Sequence, residues 1–311
     1  MPTAPFDVVT VTLNPAIDQT VTVSNFTAGI VNRVEQVRSN PGGKGVNVAV
    51  SLADAGHRVA VTGFFGKENC ASFESLFLEK GIRDYFVRIL GETRIGIKIS
   101  DPVLHQTTDI NYPGPAPAAT DLALLKERLD GVDCTWVTLG GSLPPGVDPA
   151  IYLHLIAALK GRGRKVLLDT SGEPLRLALD ALPNIIKPNI HELEALLGHP
   201  LPTHDDVVDA ARNLITKGID LVVVSMGKEG ACFVSGKETV IAHPPDVEVL
   251  STVGAGDAMV AGLVSAQLRQ LSLQESARLA TAFSVAALTR NLQSQSAFEA
   301  VRSYSKQVIL R

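Results

Sequence analysis

The sequence predicts an α/β fold: a mostly parallel sheet covered by helices on both faces, with a small β appendage near the start of the chain. Three observations predict it. Apolar, β-branched runs alternate with helix-period segments from Val59 to Ser225. Three strand-like runs with no helix between them precede that alternation. The composition, 45% hydrophobic and 19% charged over 311 residues, supplies a large core and excludes a disordered chain.

The first strand is Asp7 to Leu13, DVVTVTL, stopped by Asn14-Pro15. Val21 to Val23 and Val31 to Val37 read as two further strands of the appendage. Gly42, Gly43 and Gly45 then read as a loop, after which Val46, Val48, Ala49, Leu52 and Ala53 recur at helical spacing up to Gly56. Val59 to Phe64 is a strand, Phe73 to Lys80 a helix and Ile95 to Ser100 a strand. Pro113-Gly114-Pro115-Ala116-Pro117 is a stiff connector that returns the chain from the appendage to the body. Helices over Leu122–Leu129, Ile151–Leu159, Leu175–Leu182 and His191–Leu197 alternate with strands at Trp136–Leu139, Lys165–Asp169 and Ile185–Lys187. A helix at Val207–Lys217 and a strand at Leu221–Ser225 follow. Two long apolar helices, near Ala258–Leu268 and Leu279–Leu288, complete the pattern.

The net charge is −4, from 28 basic and 32 acidic residues, so no broad basic face is expected for nucleic acid or a membrane surface. A phosphorylated ligand must then be held by a few local donors. Cys70, Cys134 and Cys232 lie far apart and form neither a zinc spacing nor a disulfide framework, which fits a reducing cytoplasm. Met1 to Val9 has no signal-peptide pattern, and no apolar stretch reaches the roughly 18 residues of a membrane span.

Four segments carry candidate chemistry. In Ser251-Thr252-Val253-Gly254-Ala255-Gly256-Asp257-Ala258 a loop with two glycines runs into an apolar helix. Inward-facing backbone N–H groups and the helix N-terminus would form an anion hole there, with Asp257 facing the same spot. Alone, Asp257 reads equally well as an ordinary capping aspartate. Pro41-Gly42-Gly43-Lys44-Gly45-Val46-Asn47 offers close backbone approach and a hydrogen-bonding Asn47, or simply a β-to-α turn. Lys187-Pro188-Asn189-Ile190-His191-Glu192 follows a strand end. Asn189 and Glu192 could hold a hydrated Mg²⁺, or form a capping box. Ser225-Met226-Gly227-Lys228-Glu229-Gly230 also follows a strand and could border a nucleotide. There is no P-loop motif. Met259 breaks a Gly-x-Gly-x-x-Gly, which counts against a dinucleotide-dependent oxidoreductase.

Together these segments resemble the ribokinase-like PfkB carbohydrate kinases, from about Thr12 to about Leu288. Thr252 to Asp257 is similar to that family's C-terminal signature, and Pro41 to Asn47 to its N-terminal one. Thr12 to Asp18, Gly141 to Gly146 and Asp169 to Glu173 are typical of its phosphosugar branch, which holds 1-phosphofructokinase, tagatose-6-phosphate kinase and the minor 6-phosphofructokinase. The resemblance implies one kinase domain over 1–311, a three-layer α/β/α sandwich with a β lid at about 19–38 and 93–113. It implies ATP and Mg²⁺ as cofactors, a small phosphosugar as substrate, and a homodimer formed through the lid.

Roles follow from the same resemblance. Asp257 would be the base, with Gly254, Ala255 and Gly256 as the anion hole. Asp18, Gly42, Gly43, Lys44, Asn47 and Ser142 would meet the sugar, and Arg94 would clamp its existing phosphate. Lys187, Asn189, Ser225, Gly227, Gly230 and Thr252 would border the nucleotide, with Asn189 and Glu192 on the metal side. Asp109 stands where fructose 6-phosphate kinases of the family can carry a second arginine, which favours phosphorylation of fructose 1-phosphate over its 6-phosphate siblings. A catalytically silent sugar-phosphate sensor is the alternative of a different class, opposed by Asp257 and the intact anion loop. Asn291 matches the family's purine side only loosely and is left out of the site. A carboxylate at a helix N-terminus is expected to be a weak base.

Overall fold

A computed structural model describes residues 5–289 and 297–311; Asn291 lies outside them. The chain opens with β1 (Phe6–Thr12), crosses out as β2 (Ala16–Thr22) and β3 (Gln36–Gly42), and returns through α1 (Lys44–Asp54) to β4 (Val59–Gly66). Helix α2 (Ala71–Lys80) and the short strands β5 (Arg83–Asp84) and β6 (Val87–Ile89) precede the hairpin β7 (Ile95–Asp101) and β8 (Gln106–Asn111). Then come α3 (Ala119–Gly131), β9 (Cys134–Gly140), α4 (Ile151–Gly161), β10 (Lys165–Asp169) and α5 (Gly172–Ala178). The alternation continues through β11 (Ile185–Ile186), α6 (Ile190–Leu197), α7 (His204–Ile215) and β12 (Leu221–Ser225). The last elements are β13 (Ala231–Ser235), β14 (Thr239–His243), α8 (Ala255–Leu268), α9 (Leu273–Leu288), α10 (Ala297–Ser305) and β15 (Ile309–Leu310).

The main sheet has the order β15-β14-β13-β12-β11-β10-β9-β1-β4-β5, with β6 also on β4. Pairing is parallel from β5 to β12 and antiparallel from β12 to β15. Because side chains alternate along a strand, β1 feeds two cores. Val9 and Val11 pack with Leu125, Tyr152, Ile156, Leu193 and Leu214, from α3, α4, α6 and α7. Val8 packs on the other face with Val46, Ala49, Phe73, Phe77, Leu263 and Phe283, from α1, α2, α8 and α9. The result is the three-layer α/β/α sandwich that the sequence predicts.

The lid is a second sheet of order β3-β2-β7-β8, in which β2 and β7 run parallel. Its third strand differs from the expected Val31–Val37. Pairing begins at Gln36 and runs through Gly42, because Ala16↔Gly42 to Thr22↔Gln36 form one continuous antiparallel ladder. The expected glycine loop is accordingly absent. Only Gly43 separates β3 from α1, at φ 110, a backbone conformation that a Cβ would strain. Gly45 lies so close to the end of β1 that a Cβ there would collide with the Thr12 hydroxyl. The antiparallel edge β13–β15 and the helix α10 follow no strand-helix alternation, and the periodicity reading did not find them.

Helix α8 is buried along most of its length and packs against α9. At Gly262 a Cβ would come 2.6 Å from the Cα of Ala280, a backbone atom that cannot rotate away. Gly262→Ala should therefore lower stability by about 1–3 kcal/mol through overpacking. Urea unfolding measures this, and an unchanged midpoint would show that α8 and α9 separate freely.

Candidate active site

The site forms where the N-termini of α1 and α8 meet the carboxyl ends of the parallel strands, the region where open α/β sheets hold ligands. Gly254 takes the left-handed conformation, φ 77, and turns the chain into α8. No side chain caps this helix, so the N–H groups of Ala255 and Gly256 keep their donors for an incoming anion. Thr252 lies upstream on the exposed part of the loop, where Ser251 Oγ accepts the Val253 N–H at 3.2 Å.

Asp257 follows in the first turn of α8 and is 8% exposed. Its Oδ2 accepts Asn47 Nδ2 at 2.8 Å, a bond between residues 210 positions apart. Burial, then the charge of Asp169, push the Asp257 carboxyl up to about 6, against the pull of Asn47, Lys44 and Lys187. This corrects the expectation of a weak base. Desolvation and the Asp169 charge outweigh Asn47, Lys44 and Lys187, so Asp257 is more basic than an ordinary carboxylate.

The charges around Asp257 are set by a residue that the sequence reading left out of the site. Asp169 ends β10, and its Oδ1 accepts both Lys44 Nζ at 3.1 Å and Lys187 Nζ at 3.3 Å. Burial alone would raise the Asp169 carboxyl, but the Lys187 and Lys44 ammoniums hold it below the usual range. Burial would likewise lower Lys44; the carboxylates of Asp169, Glu192 and Asp257 hold it raised instead. Asp169 Oδ2 is buried with no partner among the described residues. The signal was available in Lys165-Val166-Leu167-Leu168-Asp169, an apolar strand ending in a carboxylate at the functional edge of a parallel sheet.

Lys187 lies 3.6 Å from where a Cβ on Gly256 would stand, beside the anion loop. Asn189 and Glu192 form the capping box of α6: Asn189 Oδ1 accepts the Glu192 N–H and Glu192 Oε2 accepts the Asn189 N–H, both at 2.8 Å. Glu192 Oε1 has no hydrogen bond among the described residues. Ser225 is bridged to Asn189, and its N–H donates to Pro188 O at 3.1 Å, so the two segments form one floor. Gly227 lies in the open turn beyond, with φ 62. Gly230 instead packs under β14 at the Ala242 carbonyl.

The lid brings a second group together. Asp18 lies mid-strand on β2, between Asn40 of β3 and Gly96 of β7, with its carboxylate against Gly42. Burial raises its carboxyl, opposed by Arg94 and Lys98 and helped by Asp109. Arg94 is half-buried and donates from Nε to Asn14 O at 3.2 Å. Burial lowers its guanidinium, opposed by Asp18. Asn14, also absent from the expected set, ties the group to the body: its Nδ2 donates to Pro113 O at 3.1 Å, Ser142 Oγ at 3.4 Å and Leu143 O at 3.3 Å. Asp109 pairs across the hairpin with Lys98 at 3.0 Å.

A family model described as pfkB family carbohydrate kinase matches residues 11–298. The chain belongs to this family of carbohydrate kinases. The 1-phosphofructokinase of Rhodobacter capsulatus is 52% identical over 286 residues, 90% of each chain. That of Xanthomonas campestris pv. campestris is 45% identical over 309 residues, 97% of each chain. Among solved structures, phosphofructokinase-2 from Escherichia coli in complex with substrates and products is similar at a TM-score of 0.91 and 28% identity, covering 97% of this chain and 99% of that one. A pfkB kinase is a phosphotransferase, and the family implies ATP as its co-substrate. The uncapped α8 terminus beside Lys187 fits a phosphate chain.

The buried carboxylate has a cost to the fold. A value near 6 in the folded state lies above the ordinary carboxylate value of about 3.9. Its contribution to stability is therefore fully present below pH 3.9 and is lost as pH rises through 6. Asp257→Asn should raise unfolding free energy at pH 8 by about 1–3 kcal/mol, and the gain should vanish near pH 4. Equal or lower stability of the variant at pH 8 would mean that the lysines already compensate the carboxylate.

Proposed function

We propose that this kinase transfers the γ-phosphoryl group of ATP to the free terminal hydroxyl of fructose 1-phosphate, giving fructose 1,6-bisphosphate and ADP. The observation that carries the choice of sugar is the near-full-length likeness to two proteins named 1-phosphofructokinase. The Asp109–Lys98 pair supports it. With Asp109 engaged in that pair, the lid offers no second arginine there for a 6-phosphate.

In this reading Asp257 accepts the hydroxyl proton while the sugar oxygen bonds to the γ-phosphorus. The bond from phosphorus to the bridging oxygen breaks, and its electron pair leaves with ADP. Asn47 fixes the carboxylate, and the Ala255 and Gly256 N–H groups meet charge that develops on the transferring group. Asp18, Gly42, Gly43, Lys44 and Ser142 border the sugar, and Arg94 meets the phosphate it already carries. Lys187, Asn189, Ser225, Gly227 and Thr252 line the nucleotide side, while Gly230 supports that turn from beneath.

Mg²⁺, when bound, neutralises charge on the phosphates. A hydrated ion needs few protein ligands, and two carboxylate oxygens near Lys44, Glu192 Oε1 and the orphaned Asp169 Oδ2, are unspent. Asn189 would serve by holding Glu192 through the capping box. The protein would work in the cytoplasm; among the described residues no helix is long and apolar enough to cross a membrane. The lid would pair two copies of the chain, because it leaves Val31, Val34, Val37, Ile110 and Tyr112 exposed beside open strand edges.

Two variants test the reading with a coupled ADP-release assay. Asp257→Asn should lower kcat by on the order of 10²–10⁴ while nucleotide binding persists. A variant retaining more than half of the wild-type kcat would reduce Asp257 to a helix residue. Arg94→Ala should cost roughly 2–4 kcal/mol in kcat/KM for fructose 1-phosphate and leave KM for ATP near its wild-type value. A wild-type preference for fructose 6-phosphate would move the assignment to the sibling 6-phosphofructokinase.

A further inference from the structure

The strand that carries the lid's arginine leaves the body through a tightly bonded turn. Strand β4 ends at Gly66, and Lys67 to Asn69 lead from it towards α2. Asn69 Oδ1 accepts the Thr93 N–H at 2.7 Å, and Asn69 Nδ2 donates to Thr93 O at 3.0 Å. The Gly66 N–H donates to Thr93 Oγ1 at 2.9 Å. The amide, the carbonyl and the hydroxyl of Thr93 are thus all bonded to this turn, and Thr93 is 2% exposed. The two backbones are in contact as well, since a Cβ on Gly66 would come 2.2 Å from the Glu92 carbonyl carbon. Asn69 spends its amide here although α2, which begins just after it, has no side-chain cap.

Arg94 follows this anchor directly. Its carbonyl accepts the Ile17 N–H at 2.9 Å, and the β2–β7 ladder of the lid starts with the next residue, at Ile17↔Ile95. Thr93 is therefore bonded to the body, Ile95 to the lid, and Arg94 is the joint between them. The guanidinium has one bond of ordinary length, from Nε to Asn14 O at 3.2 Å. Its Nη1 reaches Asn111 Oδ1 only at 3.5 Å and Tyr112 O at 3.4 Å. A side chain held this loosely takes its place from its backbone, and here that backbone is fixed by Asn69.

We propose that Asn69 is a positioning residue for the phosphosugar: by holding both peptide groups of Thr93, it sets the point from which Arg94 reaches the phosphate that the sugar already carries. The proposal rests on the reading that Arg94 meets this phosphate. Asn69 acts through Arg94 and not on the sugar. Arginine–phosphate pairing is geometrically demanding, so a small displacement of the joint weakens it.

Steady-state kinetics of the full-length enzyme with ATP, Mg²⁺ and fructose 1-phosphate test this. Asn69→Ala should raise KM for fructose 1-phosphate about tenfold and leave KM for ATP within about twofold of wild type. A merely structural loss of folded enzyme would lower kcat and leave both KM values in place. Thr93→Val keeps the side chain's shape, removes the bond to Gly66 and should give the same pattern; it also serves if Asn69→Ala does not fold. The deciding measurement is the double variant. On an Arg94→Ala background, Asn69→Ala should cost little or nothing further in kcat/KM for fructose 1-phosphate, because the group it positions is gone. An unchanged KM for fructose 1-phosphate, an equal rise in both KM values, or a penalty that persists in full on Arg94→Ala would each overturn the proposal while leaving the role of Arg94 intact. If Arg94→Ala alone left kcat/KM unchanged, the reading of Arg94 would fall and this proposal with it.

Discussion

A carboxylate buried to 8% exposure, with no salt bridge among the described residues, is the constraint around which the body of this kinase is arranged. Desolvation, and then the charge of Asp169, raise the Asp257 carboxyl above the ordinary carboxylate value. Three features limit the shift to about 6: the amide of Asn47, and the more distant ammoniums of Lys44 and Lys187. Those lysines are held in turn by Asp169, whose own charge pushes Asp257 upward. The site is thus a coupled set of two carboxylates and two ammoniums, in which the carboxylate bonded to lysine stays ionised and the other becomes the basic one.

That set exists only if α1 and α8 are placed closely. Lys44 and Asn47 lie in the first turns of α1, and their position depends on Gly43 and Gly45 lying tight on the end of β1. The position of α8 depends on its contact with α9 at Gly262. The glycines of the Pro41–Asn47 segment therefore act mainly through packing against protein. The lid follows from the same geometry, since β3 runs directly into α1 through Gly43. A change in lid position is a change at the N-terminus of α1, next to Asn47.

Placed cations stand in both the body and the lid. A chain of net charge −4 has no general attraction for a phosphosugar. Its cations are placed individually: Lys44 and Lys187 on a buried aspartate, Arg94 half-buried beside Asp18. Each is partly desolvated, which makes it effective at short range and weak at a distance.

The layered fold was legible in the sequence because burial imposes period. Val8, Val9 and Val11 alternate between two cores, and α1 carries its apolar residues on one face. The start of α8 was legible too, since Gly254-Ala255-Gly256-Asp257 runs without a break into a long apolar helix. Sequence reading placed Val31–Val37 as a strand from its β-branched residues; pairing with β2 starts only at Gln36, because hydrogen-bond register decides a strand's limits. It left Asp169 and Asn14 aside because their partners, Lys44, Lys187 and Ser142, are remote in the chain. Asp257 shows the division most plainly. Its residue type and its place at a helix start are local facts. Its bond to Asn47 across 210 positions, and the burial that makes it basic, arise only when two helix ends are brought to the same edge of one sheet.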